Sequence, residues 1–315
     1  MTTPRIERVP AEERPAALAR LAVAFGQRCG SRAEILALEA LVGLPSLRFD
    51  AFRVQRSATA TYLGVLRFPG RSAMLLPMVG PVNQVNPDDL TALATHAVSE
   101  FASRKDAFAQ ALLHPHDART AACLVAAGLR CVTTLRYLQR DATFPWTEPP
   151  RADECAWRPY DPGVHGAFIR TLAQTYVESN DCPELSETRT PEEALETHRA
   201  GALFDASLWE LAVIGDEPCG CVLLAPVFGG SMLEVAYMGV SAGWRKRGIG
   251  ALLLRRALAQ CRARGARRLT LAVDDRNDAA RRLYDRFGFS EAAQRTAWLW
   301  SHRARPGASD SARVP

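Results

Sequence analysis

Along the second half of the chain, the spacing of apolar positions switches repeatedly between two residues and three to four. Alternation in CAWRPYD, WELAVI, CGCVLLAPV, MLEVAYMGV, RLTLAVD and TAWLW predicts strands. Helical spacing predicts helices over His165–Glu178, Pro191–Ala200, about Gly248 to Arg264, and Asp278 to Phe287. Antiparallel strands come first and a β–α–β crossover follows, so the expected sheet is mixed with helices on both faces.

The first half repeats the order: strand, helix pair, three strands, helix, strand, helix, final strand. Setting Gly128 on Gly288, 160 positions on, places Asp117 on Asn277, Leu124 on Tyr284 and Leu129 on Phe289 without gaps. The same shift lays Ala109, Ala111 and Leu113 on Leu269, Leu271 and Val273. The expected fold class is therefore α/β, two tandem units, each a mixed, mostly antiparallel twisted sheet flanked by helices. The proline-rich stretch DATFPWTEPPRA, Asp141 to Ala152, predicts a linker, which gives units over residues 1–145 and 146–302. Residues 303–315 are small, polar and aperiodic, and a disordered tail is expected there.

Composition narrows the class. With 315 residues, 48% hydrophobic and 23% charged, two globular cores are affordable, and no apolar run approaches the roughly 18 residues of a membrane span. The N-terminus lacks the apolar segment of a secretory signal, which leads to an expected cytoplasmic location and no membrane partner. Eight cysteines never form C-x-x-C, so reduced thiols are expected and no metal. The charge of +5 is nearly all arginine, Lys105 and Lys246 being the two lysines, and no basic stripe is interleaved with aromatics. No nucleic acid is expected.

Chemistry concentrates at WRKRGIGALLLRRALAQC, Trp244 to Cys261. A helix start already presents unpaired N–H groups and partial positive charge, and Arg245, Lys246 and Arg247 add to it. Gly248 and Gly250 let backbone approach a bulky oxyanion such as a pyrophosphate. The phosphate loop ending Gly-Lys-Ser/Thr and the three-glycine dinucleotide fingerprint are both absent. A tight turn with solvated arginines fits these residues equally well.

The order of two motifs goes further. Arg245-Lys246-Arg247-Gly248-Ile249-Gly250 follows a strand ending Met238-Gly239-Val240, and Asn277-x-x-Ala280-x-x-x-Tyr284-x-x-x-Gly288-Phe289 comes about thirty residues later. Over about Cys155 to Ser301 the chain resembles the GNAT superfamily of acetyl-CoA-dependent N-acetyltransferases, in a tandem layout similar to mycothiol synthase. The resemblance implies that the backbone of Met238, Gly239 and Val240 pairs with the pantetheine arm of acetyl-CoA. It implies that Arg245, Lys246, Arg247, Gly248, Ile249, Gly250 and Ala251 hold the pyrophosphate, and that Asn277 bonds the arm near its thiol end. Tyr284 takes the position of the general acid toward the departing thiolate.

From the residues alone, Asn277 is also a plain helix cap, and Tyr284 a core aromatic with its hydroxyl at the rim. Phenol titrates near 10 and a thiol near 8.5, so proton transfer from an unperturbed tyrosine is uphill by about 2 kcal/mol. Glu234 lies four residues before Met238, and even spacing puts it on Met238's face. A glutamate at this place is the base in the histone-acetyltransferase branch and contacts the acceptor in mycothiol synthase; a strand-edge carboxylate paired with an arginine is the alternative.

In the first half Asp88-Asp89-Leu90 stands where Gly248-Ile249-Gly250 does in the second, and Leu124 where Tyr284 does. Two carboxylates at a helix start repel pyrophosphate and leucine donates no proton. The first half is expected to be a degenerate GNAT-like unit that buttresses the second or shapes its acceptor pocket. Acceptor-side candidates come from TYVESNDCPELSETRTPEE: Tyr176, Asp181, Cys182 and Glu184. The expected activity is transfer of acetyl from acetyl-CoA to a primary amine on a small molecule or peptide, through a direct ternary complex, by a monomer or homodimer. Rival readings are a mycothiol-synthase-like acetylation of an aminosugar thiol precursor and a non-catalytic acyl-CoA sensor.

Overall fold

The computed structural model describes residues 4–29, 42–56, 59–77, 85–144, 155–200 and 204–302. The first repeat runs β1 (Ile6–Arg8), α1 (Arg14–Cys29), β2 (Arg48–Gln55), β3 (Ala60–Phe68), β4 (Ser72–Pro77), α2 (Pro87–Arg104), β5 (Phe108–Leu113), α3 (Ala118–Ala126) and β6 (Arg130–Asp141). The second runs β7 (Cys155–Pro159), α4 (His165–Tyr176), α5 (Pro183–Ser186), α6 (Pro191–Ala200), β8 (Trp209–Ile214), β9 (Glu217–Val227), β10 (Met232–Val240), α7 (Ile249–Ala263), β11 (Arg268–Asp274), α8 (Asp278–Arg286) and β12 (Ser290–Ser301). The expected linker begins at Asp141, which the structure places at the end of β6; its residues 145–152, the tail at 303–315 and the second helix expected in the first half lie outside the described residues.

The repeat is visible in hydrogen bonding as well as in sequence. In the first unit Ser72–Leu75 pair in parallel with Phe108–Ala111, and in the second Met232–Val235 pair in parallel with Arg268–Leu271, the same register 160 residues on. The other neighbouring strands are antiparallel. Asp117 and Asn277 both cap their helices, accepting from the N–H three residues ahead.

The two units share one sheet. All strands lie in one twelve-stranded sheet, ordered β1-β2-β3-β4-β5-β12-β6-β11-β10-β9-β8-β7. Each unit gives its final strand to the other: β12 pairs with β5, and β6 with β11. The two exchanged strands then pair with each other along most of their length. Packing follows this exchange, since Trp298 of β12 is buried in the first unit's core and Leu138 of β6 in the second's. A boundary near residue 145 therefore divides the sequence but not the sheet.

Further contacts fasten α5 and α6 to the first unit. Arg71 pairs with Glu193 at 2.6 Å, the Thr197 hydroxyl donates to the Pro69 carbonyl at 3.0 Å, and the Ser46 hydroxyl to the Ala200 carbonyl at 2.8 Å. Leu185 packs beside Phe108 and Leu299. Among the described residues no helix is long and apolar enough to cross a membrane.

Residues 146–302 expressed alone would leave β11 with an open edge where β6 belongs and β12 with no β5. The expected outcome is aggregation or exchange into dimers by size exclusion, whereas a monomer with cooperative melting would show that each repeat closes by itself.

Candidate active site

β10 and β11 pair only from Met232 to Val235. Beyond that point they splay, while β10 stays bonded to β9 as far as Val240. Backbone from Ala236 to Val240 thus faces a cleft of about 560 Å3 on one side with its main-chain groups unpaired to β11. Such an edge recognises an extended, amide-bearing ligand by adding it as a strand. A bulge at Ala236 falls where the splay begins. Opposite it, Leu271, Ala272 and Val273 form the second wall.

The N-terminus of α7 closes one end of the cleft. Gly248 sits in the left-handed region at φ 87°, which a side chain resists, and Lys246 shares that region at φ 62°. The first bonds of α7 run from the N–H of Ala251 and Leu252 to the Gly248 carbonyl. The N–H groups of Lys246, Arg247, Gly248, Ile249 and Gly250 have no acceptor among the described residues. That is a fitting cradle for phosphate oxygens. Gly250 lies against Leu283, whose Cδ2 would stand 3.3 Å from an added Cβ, so α7 and α8 approach closely there. Buried Glu210 on β8 anchors α7 through paired bonds to Arg256, the longer 2.7 Å.

The basic residues divide. Lys246 lines the cleft. Arg245 also lines it, but its guanidinium donates to the carbonyls of Thr175 (2.9 Å), Glu178 (3.2 Å) and Val240 (3.4 Å), so it ties the end of α4 to the loop. Arg247 lies outside the lining and stacks over Trp244 at 5.0 Å. Two of the three basic side chains expected on pyrophosphate are therefore engaged by the protein: Arg245 by carbonyls at the end of α4, Arg247 by the ring of Trp244.

Met238, Gly239, Val240, Ile249, Gly250, Ala251, Asn277 and Tyr284 line the cleft. Tyr284 is 6% exposed and its ring meets Phe289. The hydroxyl has no hydrogen-bond partner among the described residues. Burial, with a smaller push from the Asp181 charge, raises the phenol pKa above its ordinary value. Tyr284 is thus held protonated, and transfer of its proton to a thiolate is more uphill than for a free phenol.

Asp181 lines the cleft and accepts from the Asp274 N–H at 3.2 Å. Desolvation of its carboxyl, together with the neighbouring Asp274 charge, raises its pKa. Burial acts on Asp274 too, but hydrogen bonds from Arg276 and Thr133 outweigh it and hold that carboxylate below its ordinary value. Thr133 bonds Asp274 at 2.5 Å and Arg136 pairs with Asp275 at 2.6 Å. Both donors belong to β6, so the exchanged strand of the first repeat holds the turn that leads into Asn277.

Three sequence expectations change. Glu234 does not share Met238's face: the bulge at Ala236 shifts the alternation by one, so Glu234 falls on the Tyr237 side and outside the cleft lining. Its carboxyl is desolvated, which raises its pKa. Cys182 lies outside the lining with its N–H on Asp274 at 3.0 Å, and burial pushes its thiol well above its ordinary range. Glu184 is held by Arg276 through bonds of 2.7 and 2.9 Å rather than facing the cleft. These two residues pin α5 to the β11–α8 turn.

Tyr176 does line the cleft, joined by residues the sequence did not single out: Thr175, Glu178 and Tyr237. The Tyr237 hydroxyl bonds the Thr175 hydroxyl at 2.6 Å. Thr175 Cβ would stand 2.8 Å from a Cβ on Gly239, so only glycine lets α4 cross β10 this closely. The identity of Gly239 was the available signal for that crossing.

At the corresponding corner of the first repeat, α2 begins with Asp88 and Asp89, capped by Asn86. Asp89 is buried and grips Arg56 through two bonds, of 2.7 and 2.5 Å. The protein's own carboxylate stands in the first turn where the second repeat offers bare N–H groups. Leu124, at the place of Tyr284, is fully buried.

Comparison with known proteins agrees with this geometry. The profile of the Acetyltransferase (GNAT) family matches residues 169–289. The chain is 32% identical over 190 residues to a mycothiol acetyltransferase of Salinispora tropica, covering 58% of this chain and 59% of that relative. It is 36% identical over 104 residues to one of Beutenbergia cavernae, covering 32% and 34%. Both matches span less than two thirds of the relative. Among solved structures, a GCN5-related N-acetyltransferase from Sphaerobacter thermophilus superposes with TM-score 0.69 at 21% identity, over 95% of this chain and 97% of that one. A tandem GNAT protein from the clavulanic acid biosynthesis pathway superposes with TM-score 0.59 at 15% identity, over 97% and 100%. These last two likenesses concern the fold.

Gly248→Val would force a β-branched residue into the left-handed region at the cradle. Affinity for coenzyme A by calorimetry is expected to fall at least tenfold; unchanged affinity in a folded variant would remove the cradle from ligand binding.

Proposed function

We propose, for a chain that carries a GNAT acetyltransferase domain within a tandem GNAT fold, that the second repeat moves an acetyl group from acetyl-CoA to a primary amine, both held in one cleft. The observation that carries this reading is the splay of β10 from β11. It leaves an unpaired main-chain edge running between the N–H cradle of α7 and the Tyr284 hydroxyl. In this reading the cradle and Lys246 take the pyrophosphate, the edge at Met238–Val240 takes the pantetheine arm, and Asn277 flanks its thiol end.

The thioester supplies an activated acyl carbon, which the amine's electron pair attacks as the C–S bond breaks. Tyr284 keeps its proton and donates a hydrogen bond to the sulfur as negative charge develops there, and the proton that nitrogen sheds on becoming an amide passes by way of solvent to the thiolate, which leaves as free thiol. An alkyl ammonium with pKa near 10.4 is free base to about one part in a thousand or less at pH 7, so proton removal matters. Asp181 is the carboxylate placed for it, directly or through water, lying beside both Tyr284 and the Tyr176–Tyr237 pair. Holding both reactants in line supplies much of the remaining acceleration.

The matches to mycothiol acetyltransferases favour a second reading in which the amine belongs to an aminosugar thiol precursor. An acceptor panel that includes such a compound separates the two.

With any acceptor that releases free coenzyme A thiol, Tyr284→Phe is expected to lower kcat about a hundredfold while the Kd for acetyl-CoA holds. An unchanged kcat would return Tyr284 to a packing role. Because the Asp181 pKa is raised, its base form is lost as pH falls through that raised value, which gives kcat/KM an acidic limb above the ordinary carboxylate range. Asp181→Asn should remove that limb and leave the dependence on amine deprotonation; a profile identical to wild type would exclude Asp181 as base.

A further inference from the structure

Beside the cleft, on the Tyr237 face of β10, lies a polar patch with unused hydrogen-bonding capacity. Arg189 Nε and His198 Nε2 are each buried with no hydrogen-bond partner, and the buried Tyr176 hydroxyl has the Arg189 guanidinium beside it. Tyr176 and His198 both pack on the ring of Tyr237, with centroids 6.0 and 5.7 Å away. The charge of Arg189 acts on both Tyr176 and His198, which places the three groups together. Tyr176 also lines the cleft, so the patch opens toward the reacting end.

Arg189, like Arg199 and Arg247, lies over an aromatic ring, and it differs from them in having its Nε buried without a partner. Arg256, Arg264 and Arg276 each hold a carboxylate, whereas Arg189 forms no ion pair among the described residues. Its guanidinium lies over Phe108 at 5.6 Å, so a ring of the first repeat supports its plane. A part-buried guanidinium with an unbonded Nε has given up water without a counter-ion in return, an arrangement that costs stability unless a ligand completes it. His198, by burial and the nearby Arg189 charge, has its pKa lowered to about 3 and so adds no second positive charge.

We infer that Arg189, Tyr176 and His198 form an oxyanion subsite that receives a carboxylate or phosphate group of the acceptor while its amine faces Asp181. The acceptor is then a molecule with an amine at one end and an anion at the other. This rests on the transfer proposed above only for the word acceptor, since the anion site stands on its own residues. It also gives the first repeat a part in specificity, because Phe108 holds Arg189 and the contacts of Glu193 and Thr197 hold the helix that carries His198.

The full-length chain, labelled with nitrogen-15, is titrated with acetate and separately with inorganic phosphate at constant ionic strength. The Arg189 Nε–H resonance is identified by its loss in Arg189→Gln. A saturable shift of that resonance is expected with one anion or both, and which of them distinguishes the carboxylate from the phosphate form. His198→Gln, which keeps the reporter, should weaken that anion at least fivefold. No saturable shift, or an affinity indifferent to His198→Gln, overturns the subsite and leaves a patch filled by water. In the second arm, coenzyme A thiol release is followed with amino acids and with their carboxamides. A KM at least tenfold lower for the acids, abolished in Arg189→Gln, supports the subsite. Equal KM values overturn it while leaving acetyl transfer intact; anion binding without thiol release from any amine overturns the transfer and leaves the subsite.

Discussion

The pairing of β6 with β11 is the constraint on which the second repeat depends. It closes one side of β11, so that β11 can part from β10 without unravelling, and it carries Thr133 and Arg136 to the turn before Asn277. The cleft is thus built on a strand borrowed from the other unit. Loss of Thr133 would leave buried Asp274 short of a donor and loosen the turn that feeds α8.

Two ends of the cleft use the same physics in opposite ways. At α7 the backbone is bare: N–H groups without acceptors among the described residues stand beside a glycine in the left-handed region. At α8 burial keeps Tyr284 protonated, and the Asp181 carboxyl beside it has its pKa raised by desolvation and the Asp274 charge. In the proposed transfer the first end serves binding, and the second donates a hydrogen bond to charge that develops only during reaction.

Much of this was legible in the sequence. The bounds of α6 and β10 coincide with the apolar periods that predicted them, and the 160-residue shift reappears in the parallel registers of both units. Cleft-lining residues around Gly248 and Tyr284 fell where the motifs indicated. Elsewhere long-range geometry decided. A single bulge reverses the alternation that placed Glu234, and no local pattern marks Ala236 as the bulged residue. The strand exchange involves residues about 130 to 190 apart, beyond any periodicity. Arg245 and Glu184 looked free because their partners, the carbonyls of Thr175 and Glu178 and the guanidinium of Arg276, come from distant segments.

The Asp89–Arg56 pair bears on what the corresponding corner of the first repeat can accept. Losing Arg56 alone leaves a carboxylate buried and uncompensated, whereas Arg56 is half exposed and water can receive it, so the dependence runs one way. With that carboxylate seated in its first turn, α2 carries its own anion, and the same position in the fold that stands bare at α7 is committed here to holding two segments of one unit together.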